Sequence, residues 1–582
     1  MAPYLILLVI GLPWMGALFV WWAGDQRPRL QHTLAALFAL TAGAAALWLL
    51  PYADSRAAIR FPAEPTFWSI SFVADGLAIF LAAIAAVIGS LAIIFSIDYM
   101  HAASQLGRYY ALVLFFIGAM CGLVLSSNLL LIFFFWEITA FCSYALISFH
   151  NDDPKAVHGG MKALIITQVG GIGLLLGALF IYSHTGSIDI QTFLAKPSQL
   201  PAGALAITAY GFLIAAAAKS AQFPFHTWLP DAMEAPSPVS ALIHAATMVN
   251  AGVYLLARFF PAFAAVPGWA SAVLLTGALS ALLAALMALT ATDLKRVLAY
   301  STVSQLGYMV YAVGAGSILT AQFHLFSHAI FKALLFLAAG AVIHSLGTRD
   351  LRQMGGLGQQ MPQIRAVFIL GSLALAGLPF LNGFWSKELV LEAGLAGGPL
   401  WAFSIVLLAA GLTAVYSFRM VWLVFFGMRR SHLHGHDAAP AMKISLFVLA
   451  AGTLLSWLLV GPFSHLLEAT LPFHAIQSER TTVILGEVLS APSTALAMAV
   501  IFLGLAAWWW REQLAGLVNR LNGISRLSVN SFGFEAINTT IVKATERGAE
   551  ALRSTHTGLI NWNVLAIITA LVMIMAILAL GA

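Results

Sequence analysis

The sequence has few charged residues and almost no cysteine for its length. Of its 582 residues, 28 are Lys or Arg and 23 are Asp or Glu, so only 9% are charged, against about 25% in a soluble globular protein. The mean hydropathy is +0.91. These values exclude a water-soluble fold and intrinsic disorder, which requires low hydrophobicity and high charge. No basic cluster resembles a nucleic-acid-binding surface, so no nucleic acid is expected as a partner.

The chain also lacks the motifs of a redox or nucleotide site. Its two cysteines, Cys121 and Cys142, lie inside apolar runs and are too few for a four-cysteine iron–sulfur cluster. No GxGxxG follows a strand-like run, and no GxxxxGK[ST] occurs. We therefore expect no cofactor, and an ion gradient or a partner protein must supply any energy. Whether the chain belongs to an enzyme complex stays open.

Long apolar runs dominate the sequence instead. A helix of about 20 residues crosses the hydrocarbon core of a bilayer, and about sixteen runs approach that length. They predict an all-α polytopic membrane protein surrounded by lipid. The runs lie at 3–22, 31–50, 70–97, 109–125, 127–148, 161–183, 203–220, 239–260, 270–290, 297–315, 322–344, 364–391, 401–426, 443–462, 491–510 and 562–581.

Basic residues alternate between the connections and predict the orientation. The odd-numbered connections carry most of them, whereas the even-numbered ones hold little beyond Arg56, Arg60, Lys196 and Arg480. The positive-inside rule then places the odd connections in the cytoplasm and both termini on the periplasmic side of a bacterial inner membrane. A missed span would destroy this alternation, so it supports the count.

The chain divides into four predicted segments. Residues 1–105 form N-terminal membrane helices, 106–262 and 263–430 form two inverted-repeat half-channels, and 431–582 form C-terminal helices. The last segment contains the stretch 511–561, where apolar residues mix with Arg, Asn, Glu and Thr. We interpret it as an amphipathic helix along the cytoplasmic face, broken near Gly523 or within Ser528–Gly533. A partly ordered polar loop is the alternative.

Ionisable side chains interrupt several of the runs. Each costs several kcal/mol in a membrane span on insertion scales and is therefore a functional candidate. Individually, a lysine could reach the interface and His244 could be a core histidine, but lysines with an acid and regularly spaced histidines indicate a proton relay. The candidates are Glu137, Lys219, His244, Lys295, His324, His328, Lys332, Lys387 and Glu388.

Histidine spacing raises the question of a metal site. His324 and His328 are four residues apart, but the Glu of an HExxH motif and a third ligand are missing, so no metal is predicted there. His432, His434 and His436 stand beside Asp437 in the thirteenth connection. They could bind a metal or belong to a solvated loop, and the sequence does not decide.

Prolines lie close to two of the lysines inside apolar runs. Lys219 precedes Pro224 and Lys387 follows Pro379, and a proline within a helix breaks or kinks it. The two runs are five spans apart and cross in opposite directions, with the lysine–proline order reversed. This arrangement predicts discontinuous helices in a transporter built from inverted repeats.

Six motifs together resemble a known family. They are Phe-Trp-Glu-Ile-Thr at 135–139, Lys-Ser-Ala-Gln-Phe-Pro-Phe-His-Thr-Trp-Leu-Pro-Asp-Ala-Met at 219–233, Pro-Val-Ser-Ala-Leu-Ile-His at 238–244, Thr-Asp-Leu-Lys-Arg at 292–296, His-Leu-Phe-Ser-His-Ala-Ile-Phe-Lys at 324–332 and Phe-Trp-Ser-Lys-Glu at 384–388. From about residue 70 to 430 the chain resembles the antiporter-like subunits, namely the L-type proton-pumping subunit of respiratory complex I and the A-type subunit of Mrp-type cation/proton antiporters.

The resemblance implies roles for the candidate residues and partners for the chain. It assigns Glu137 and Lys219 as an acid–lysine pair in the first half-channel, and Lys387 with Glu388 as the exit. It assigns the central relay to His244, Lys295, His328 and Lys332. The implied partners are other membrane subunits of a complex and protons, and whether sodium is also transported stays open.

Departures from the family patterns leave three functions open. Gly171 stands where complex I subunits usually have an acid, as in the Mrp A-type subunit, whereas Asn250 replaces a lysine expected in that subunit. The chain also stops after the sixteenth run, where the Mrp A-type subunit generally continues. We expect a proton-translocating subunit similar to the Mrp A-type subunit. A complex I (NADH-quinone oxidoreductase) L-type or related redox-driven subunit is the alternative, and a membrane partner in inorganic-carbon uptake is a third.

Overall fold

The predicted apolar runs form long helices in the computed structural model. It describes residues 2–62, 69–428, 435–514, 516, 520, 522–555, 564–565, 568–569 and 571–573. Thirteen helical segments within these residues are long and apolar enough to cross a membrane. The chain is thus an all-α polytopic membrane protein, as predicted.

Helices make up nearly all of the described structure. The α-helices are α1 (Ala2–Ala23), α2 (Pro28–Leu49), α3 (Gly76–Tyr99), α4 (Leu106–Leu125), α5 (Leu129–Ile147), α6 (Pro154–Thr185), α7 (Ile190–Ala195), α8 (Ala202–Lys219), α9 (Trp228–Asp231), α10 (Ser237–Ala241), α11 (Met248–Phe263), α12 (Trp269–Thr290), α13 (Leu294–Gly314), α14 (Ile318–Leu346), α15 (Pro362–Ala376), α16 (Asn382–Gly397), α17 (Leu400–Val421), α18 (Pro440–Leu455), α19 (Val460–Thr470), α20 (Thr481–Ser490), α21 (Pro492–Trp509), α22 (Asn522–Val529) and α23 (Phe534–Thr555). Single π-turns lie at Leu242–Ala246 and Trp422–Phe426. Short 3₁₀ turns include Leu50–Ser55, Phe225–Thr227, Ala232–Glu234 and Ser531–Gly533.

Three of the sixteen predicted runs do not appear among the thirteen segments. The run at 297–315 is α13, which carries several polar side chains that are buried within the protein. These polar residues keep its hydropathy below that of the thirteen segments. The run at 364–391 is divided into α15 and α16. The run at 562–581 lies mostly outside the described residues. The count of about sixteen is therefore not confirmed.

The third span begins later than its apolar run. Residues Ile70–Val73 form strand β2, which pairs antiparallel with β1 (Ala58–Phe61) so that Ala58 faces Val73. Helix α3 starts only at Gly76, because the Asp75 carboxylate accepts a hydrogen bond from the Ala78 amide at 3.0 Å and caps the helix. The prediction included the residues of β2 in the third span because they are apolar.

The connections bond to one another in two separate groups. The odd-numbered ones are joined by hydrogen bonds from Leu294 N to Arg349 O, His436 N to Ser345 Oγ and Ala441 N to Asp98 Oδ2. The even-numbered ones are joined by bonds from Ser127 N to Ser71 O, Ile190 N to Ser127 O and Gly76 N to Thr470 Oγ1. We call the two ends of the helices where these groups meet the odd face and the even face.

A buried ion pair on the even face ties α3 to α11. Arg258 donates to both carboxylate oxygens of Asp75, and the two side chains are 4% and 2% exposed. Arg258 Nε also donates to the Tyr254 hydroxyl at 3.2 Å. His474, in the connection after α19, lies beside this pair with its Nε2 atom 2.8 Å from the Ala257 carbonyl oxygen. The cluster therefore holds three distant parts of the chain together.

The described chain forms two compact units, Met1–Ser525 and Arg526–Ala582. Within the predicted amphipathic stretch, α22 and α23 are separated at Ser531–Gly533, where Phe532 and Gly533 adopt left-handed backbone angles of φ 51° and 84°. The predicted break within Ser528–Gly533 is therefore confirmed. On α23, the exposed side chains of Ile537 and Ile541 are four residues apart and share one face of the helix.

Replacing Asp75 with asparagine tests the buried ion pair. Asp75→Asn keeps an oxygen that can cap α3 but leaves the Arg258 charge buried without its counter-ion, which costs about 3–5 kcal/mol. We expect a clear fall in the thermal unfolding temperature of the detergent-purified protein. Arg60→Ala is the control, because Arg60 lies 3.8 Å from Asp189 and is 66% exposed, and its loss should cost about 0–1 kcal/mol. Equal effects would contradict this role.

The stability of the fold should depend on pH through His474. Burial and the nearby Arg258 charge lower the pKa of His474 to about 4, whereas an unfolded histidine takes up a proton below about pH 6.5. Between these values the unfolded state binds more protons, so stability falls as the pH drops from about 6.5 towards 4. His474→Gln should flatten this part of the curve of unfolding temperature against pH, and an unchanged slope would refute the assignment.

Candidate functional site

The first helix break follows Lys219 at the end of α8. Pro224 has no N–H, so the carbonyl of Ser220, four residues earlier, has no helical partner. The Gln222 side chain donates to this carbonyl at 2.9 Å, and the Trp228 indole donates to the Ala218 carbonyl at 2.9 Å. Buried side chains thus satisfy the backbone groups that the break exposes, and Lys219 is fixed at its edge.

Lys219 lies beside Glu137 without forming an ion pair. Its side chain is fully buried, and Nζ donates to the Trp136 carbonyl at 2.7 Å and lies 4.9 Å from the Trp136 ring centre. Glu137, the next residue on α5, is half-buried, and its Oε1 atom has no hydrogen-bond partner among the described residues. The predicted acid–lysine pair is therefore adjacent across α5 and α8, with the lysine bound to a neutral acceptor.

Gly171 of α6 lies directly against the Glu137 carboxylate. A Cβ atom at this position would be 2.5 Å from Glu137 Oε1 and 3.6 Å from the Trp136 indole nitrogen. Any side chain here would have to displace the carboxylate. The departure from the complex I pattern noted at this position is therefore a change in the immediate surroundings of Glu137.

The second break separates α15 from α16 and positions Lys387. Pro379 leaves the Leu375 carbonyl without a helical donor, and Gly377 turns the chain with φ 87°. The buried Lys387 Nζ atom donates to that carbonyl at 2.7 Å. A cation is also favoured at a helix C-terminus. Glu388, the next residue, is fully buried, and neither carboxylate oxygen has a hydrogen-bond partner among the described residues.

Helix α14 carries the central candidates on one face. The His324 nitrogens lie 3.0 Å from Ser386 Oγ and 3.1 Å from Gln305 Oε1, so this ring joins α14 to α16 and α13. The His328 ring is 6.4 Å from that of His324, and neither His328 nitrogen has a partner among the described residues. Lys332 Nζ donates to the Leu298 carbonyl at 2.9 Å and to the Ser301 hydroxyl of α13.

His244 and Lys295 complete the predicted set. His244 lies in the π-turn Leu242–Ala246, fully buried, with its ring 5.4 Å from that of Phe336 and without partners for its nitrogens among the described residues. Lys295, 5% exposed, donates from Nζ to the Ala235 carbonyl at 2.5 Å, in the stretch between α9 and α10. Eight of the nine candidates are therefore buried, whereas Glu137 is half-buried.

The structure adds polar residues that the sequence analysis missed. Gln305 and Ser386 hold His324, and Gln322 is fully buried with both amide atoms unpartnered among the described residues. The sequence signal for them is an amide side chain within an apolar run, in the middle of 297–315 for Gln305 and at the start of 322–344 for Gln322. Together with His324 and Lys332, Gln305 and Ser386 form polar contacts between α13, α14 and α16.

Ion pairs on the odd face fasten the first break to neighbouring helices. Asp231 of α9 binds Lys162 of α6 at 2.8 Å and Arg296 of α13 at 3.1 Å. Arg349, in the connection after α14, binds Glu234 at 2.5 Å and Asp293 at 2.6 Å. These pairs are partly exposed, so each contributes little alone, but they connect several elements in one network.

The described residues contain no metal-binding group of three or more His, Cys, Asp or Glu side chains. His432 and His434, candidates for such a group, lie outside the described residues. His436 is described and is exposed on the odd face. A metal site in this connection therefore stays an open alternative from the sequence analysis.

Broken membrane helices with buried charges at the breaks are typical of membrane transporters that move ions. A family model described as "NADH:quinone oxidoreductase/Mrp antiporter, TM" matches residues 126–413, and "NADH-Ubiquinone oxidoreductase (complex I), chain 5 N-terminus" matches residues 64–110. The chain is 37% identical to NAD(P)H-quinone oxidoreductase chain 5 of Picosynechococcus over 83% of its own length and 79% of the relative's. The chain belongs to this family of NADH:quinone oxidoreductase and Mrp antiporter membrane subunits, which confirms the resemblance in the sequence.

Relatives on the antiporter side are longer than this chain. It is 39% identical to the A1 subunit of the Na(+)/H(+) antiporter of Staphylococcus aureus over 70% of its own length and 54% of the relative's. Its fold is also similar to a chain in the structure of the Mrp complex from Dietzia, with a TM-score of 0.85 and 29% identity, covering 100% of this chain and 63% of that one. The chain thus spans between half and two thirds of these two proteins.

Substitution of two glycines on α6 tests the contact with Glu137. Gly171→Ala meets the mobile end of a side chain, so Glu137 should rotate away and stability should change by less than about 1 kcal/mol. Gly173→Ala is the matched comparison, because its Cβ would lie 2.4 Å from the Gly211 carbonyl oxygen of α8, and overpacking against backbone costs about 1–3 kcal/mol. Thermal unfolding should rank the two variants in this order, and the reverse order would contradict the geometry.

Proposed function

We propose that this chain is a proton-translocating subunit of a multisubunit membrane complex, similar to the Mrp A-type subunit, that moves protons in exchange for sodium. The observation that carries the proposal is the setting of Lys219, Lys332 and Lys387. All three are fully buried, and their ammonium nitrogens donate only to carbonyl or hydroxyl oxygens among the described residues. A buried charge without a counter-ion is costly, so these groups are suited to binding and releasing protons.

The first half-channel supplies a pair whose separation can drive the transfer. A carboxylate near a buried lysine favours the ammonium form, and its withdrawal favours release of the proton. Glu137 is adjacent to Lys219, and its Oε1 atom has no hydrogen-bond partner among the described residues. Movement of this carboxylate towards or away from the lysine would then control the Lys219 proton.

The central residues supply a route towards Lys387. Buried polar groups in proteins are almost always hydrogen-bonded, to water where no protein partner exists. His244, His328 and Gln322 each present atoms to the interior that are unpartnered among the described residues, which supports a hydrated path past α14. From His324 the route reaches Ser386, the residue before Lys387. Glu388 beside Lys387 would accept the proton on its way out.

The distribution of basic residues supports an orientation of the chain in the membrane. We place the chain in a bacterial inner membrane, with the odd face in the cytoplasm and both termini in the periplasm, because the basic residues favour the odd connections. Other membrane subunits are the partners, and the amphipathic stretch would lie along the cytoplasmic face against the membrane or these subunits. Of the four segments proposed from the sequence, 106–262 and 263–430 form the two half-channels.

A redox-driven complex of the complex I type is the second candidate. It is favoured by similarity, because the chain is 37% identical to NAD(P)H-quinone oxidoreductase chain 5 over 83% of its own length, against 39% identity to the A1 subunit of the antiporter over 70%. Purification of the native complex separates the two. Iron–sulfur subunits that oxidise an external donor would indicate redox-driven pumping, whereas small membrane subunits and sodium-dependent proton movement without a donor would indicate the antiporter.

Removal of the lysine amines tests the proposed function. Lys219→Met and Lys387→Met keep the aliphatic stem but cannot carry a proton, and we expect proton movement in inverted membrane vesicles to fall roughly 100-fold, as for loss of a proton-transfer group. Native gels should show wild-type amounts of assembled complex. Lys155→Ala is the control, because Lys155 is exposed at the start of α6. Wild-type rates in either methionine variant would refute the relay.

A further inference from the structure

Three histidines from separate parts of the chain meet on the odd face. His101 follows α3, His344 lies in the last turn of α14 and His436 precedes α18. The His344 ring is 6.0 Å from the His101 ring and 6.3 Å from the His436 ring, measured between ring centres. We call these three residues the histidine cluster. All three side chains are exposed, so water and dissolved buffer can reach them.

The histidine cluster surrounds a cavity of about 290 Å³ whose walls are fixed by hydrogen bonds. Asp98 and Asp437 also line it. The Asp98 carboxylate accepts from the Ala441 amide at 2.7 Å, and the His436 amide donates to Ser345 Oγ at 2.7 Å. These bonds join the ends of α3, α14 and α18. Hydrogen bonds between the backbone and side chains of three elements therefore hold the acidic and imidazole groups of this recess together.

His344 lies a little over three turns after the relay residue Lys332 on α14. The positions Lys332, Phe336, Gly340 and His344 follow one another every four residues, so successive members are neighbours while the row winds about 40° around the helix at each step. Gly340 contributes no side chain, and a Cβ atom there would lie 2.6 Å from Ser237 Cβ and 3.1 Å from its Oγ. The Ser237 hydroxyl thus lies against α14 between His344 and the buried part of the helix.

Tyr99 connects the histidine cluster to Ser237. Its ring is 5.3 Å from that of His344, and its hydroxyl donates to Ser237 Oγ at 3.2 Å. Ser237 is two residues from Ala235, whose carbonyl accepts from Lys295 Nζ. Tyr99 and Ser237 therefore lie between the exposed recess and the stretch that binds Lys295, the first buried lysine of the second half-channel.

We propose that the histidine cluster is the site where protons enter from the aqueous phase on the odd face, and that Tyr99 and Ser237 pass them towards Lys295. This proposal rests on the proposed function. Imidazole is the side chain that gains and loses protons near neutral pH. An imidazole nitrogen binds a proton from water or a buffer acid and gives it to the Tyr99 oxygen as the Tyr99 hydroxyl gives its own proton to Ser237 Oγ. In the same step the Ser237 hydroxyl gives up its own proton, through water, to the neutral amine of Lys295. Rotation of the hydroxyl groups then restores the starting state.

The charges around His344 are suited to attracting protons. From α3 and the turn after it, Asp98, Tyr99 and His101 face this ring, and His436 with Asp437 face it from the segment before α18. His32 of α2 interacts with Asp98 and His101 from a greater distance. Two carboxylates beside three imidazoles raise the local concentration of cations, including protons. The recess therefore combines groups that bind protons with charges that attract them.

The test measures proton movement by the assembled complex in vesicles whose odd face is supplied by weak or strong buffer. In weak buffer His344→Gln should lower the rate about tenfold, the lower end of what local focusing of an ion contributes. Added imidazole, a mobile proton carrier, should restore it. Tyr99→Phe should lower the rate similarly but resist imidazole, because it interrupts the route after the cluster. His158→Gln is the control, since His158 is exposed near the start of α6 on the same face.

The outcomes separate this proposal from the proposed function. Loss of transport in Lys219→Met together with wild-type rates of His344→Gln and Tyr99→Phe in weak buffer would overturn the entry site and leave the relay intact. Wild-type transport in Lys219→Met would instead overturn the proposed function. Rescue of Tyr99→Phe by imidazole would contradict the route through Tyr99. Rates are normalised to the amount of assembled complex, so that a folding defect is not counted as a transport defect.

Discussion

The requirement that every backbone polar group inside a membrane be satisfied within the protein governs this structure. Pro379 leaves the Leu375 carbonyl without a helical donor, and the Lys387 ammonium supplies one at 2.7 Å. At the other break the Gln222 amide does the same for the Ser220 carbonyl. The break therefore requires a buried donor, and a buried lysine requires an acceptor. At the second break the lysine itself is the donor that the proline makes necessary, whereas at the first break Lys219 binds the Trp136 carbonyl instead.

Carbonyl acceptors leave the lysines in place whatever their charge. A carboxylate would bind the ammonium form strongly and the amine weakly, whereas a carbonyl accepts a hydrogen bond from either. Lys219, Lys295 and Lys387 all use a carbonyl in this way. Glu137 and Glu388, with oxygens unpartnered among the described residues, remain available to favour one charge state. Position and charge are thus controlled by different groups.

The sequence predicts where charged residues interrupt the apolar helices better than it predicts how those residues meet. Charges in apolar runs, two prolines and four-residue spacing on α14 sufficed for the nine candidates and both breaks, because lipid penalises each departure from apolar helix. Hydropathy alone does not describe α13, which is a helix whose polar side chains face protein. It also assigns β2 to a membrane span, although these apolar residues are extended. The bond from Gln305 to His324 and the approach of His101 to His344 depend on tertiary packing between distant segments, which local periodicity does not contain.

The ion-pair network on the odd face links the two proposed half-channels. Asp231, within the first break, holds Arg296 of α13, and Arg296 is the neighbour of Lys295. Arg349 forms ion pairs with Glu234 of the same stretch and with Asp293, the N-cap residue of α13. A displacement of this stretch pulls on the helix that carries Lys295. These ion pairs connect the two proposed half-channels directly, so a movement around Lys219 would be transmitted to the helix that carries Lys295.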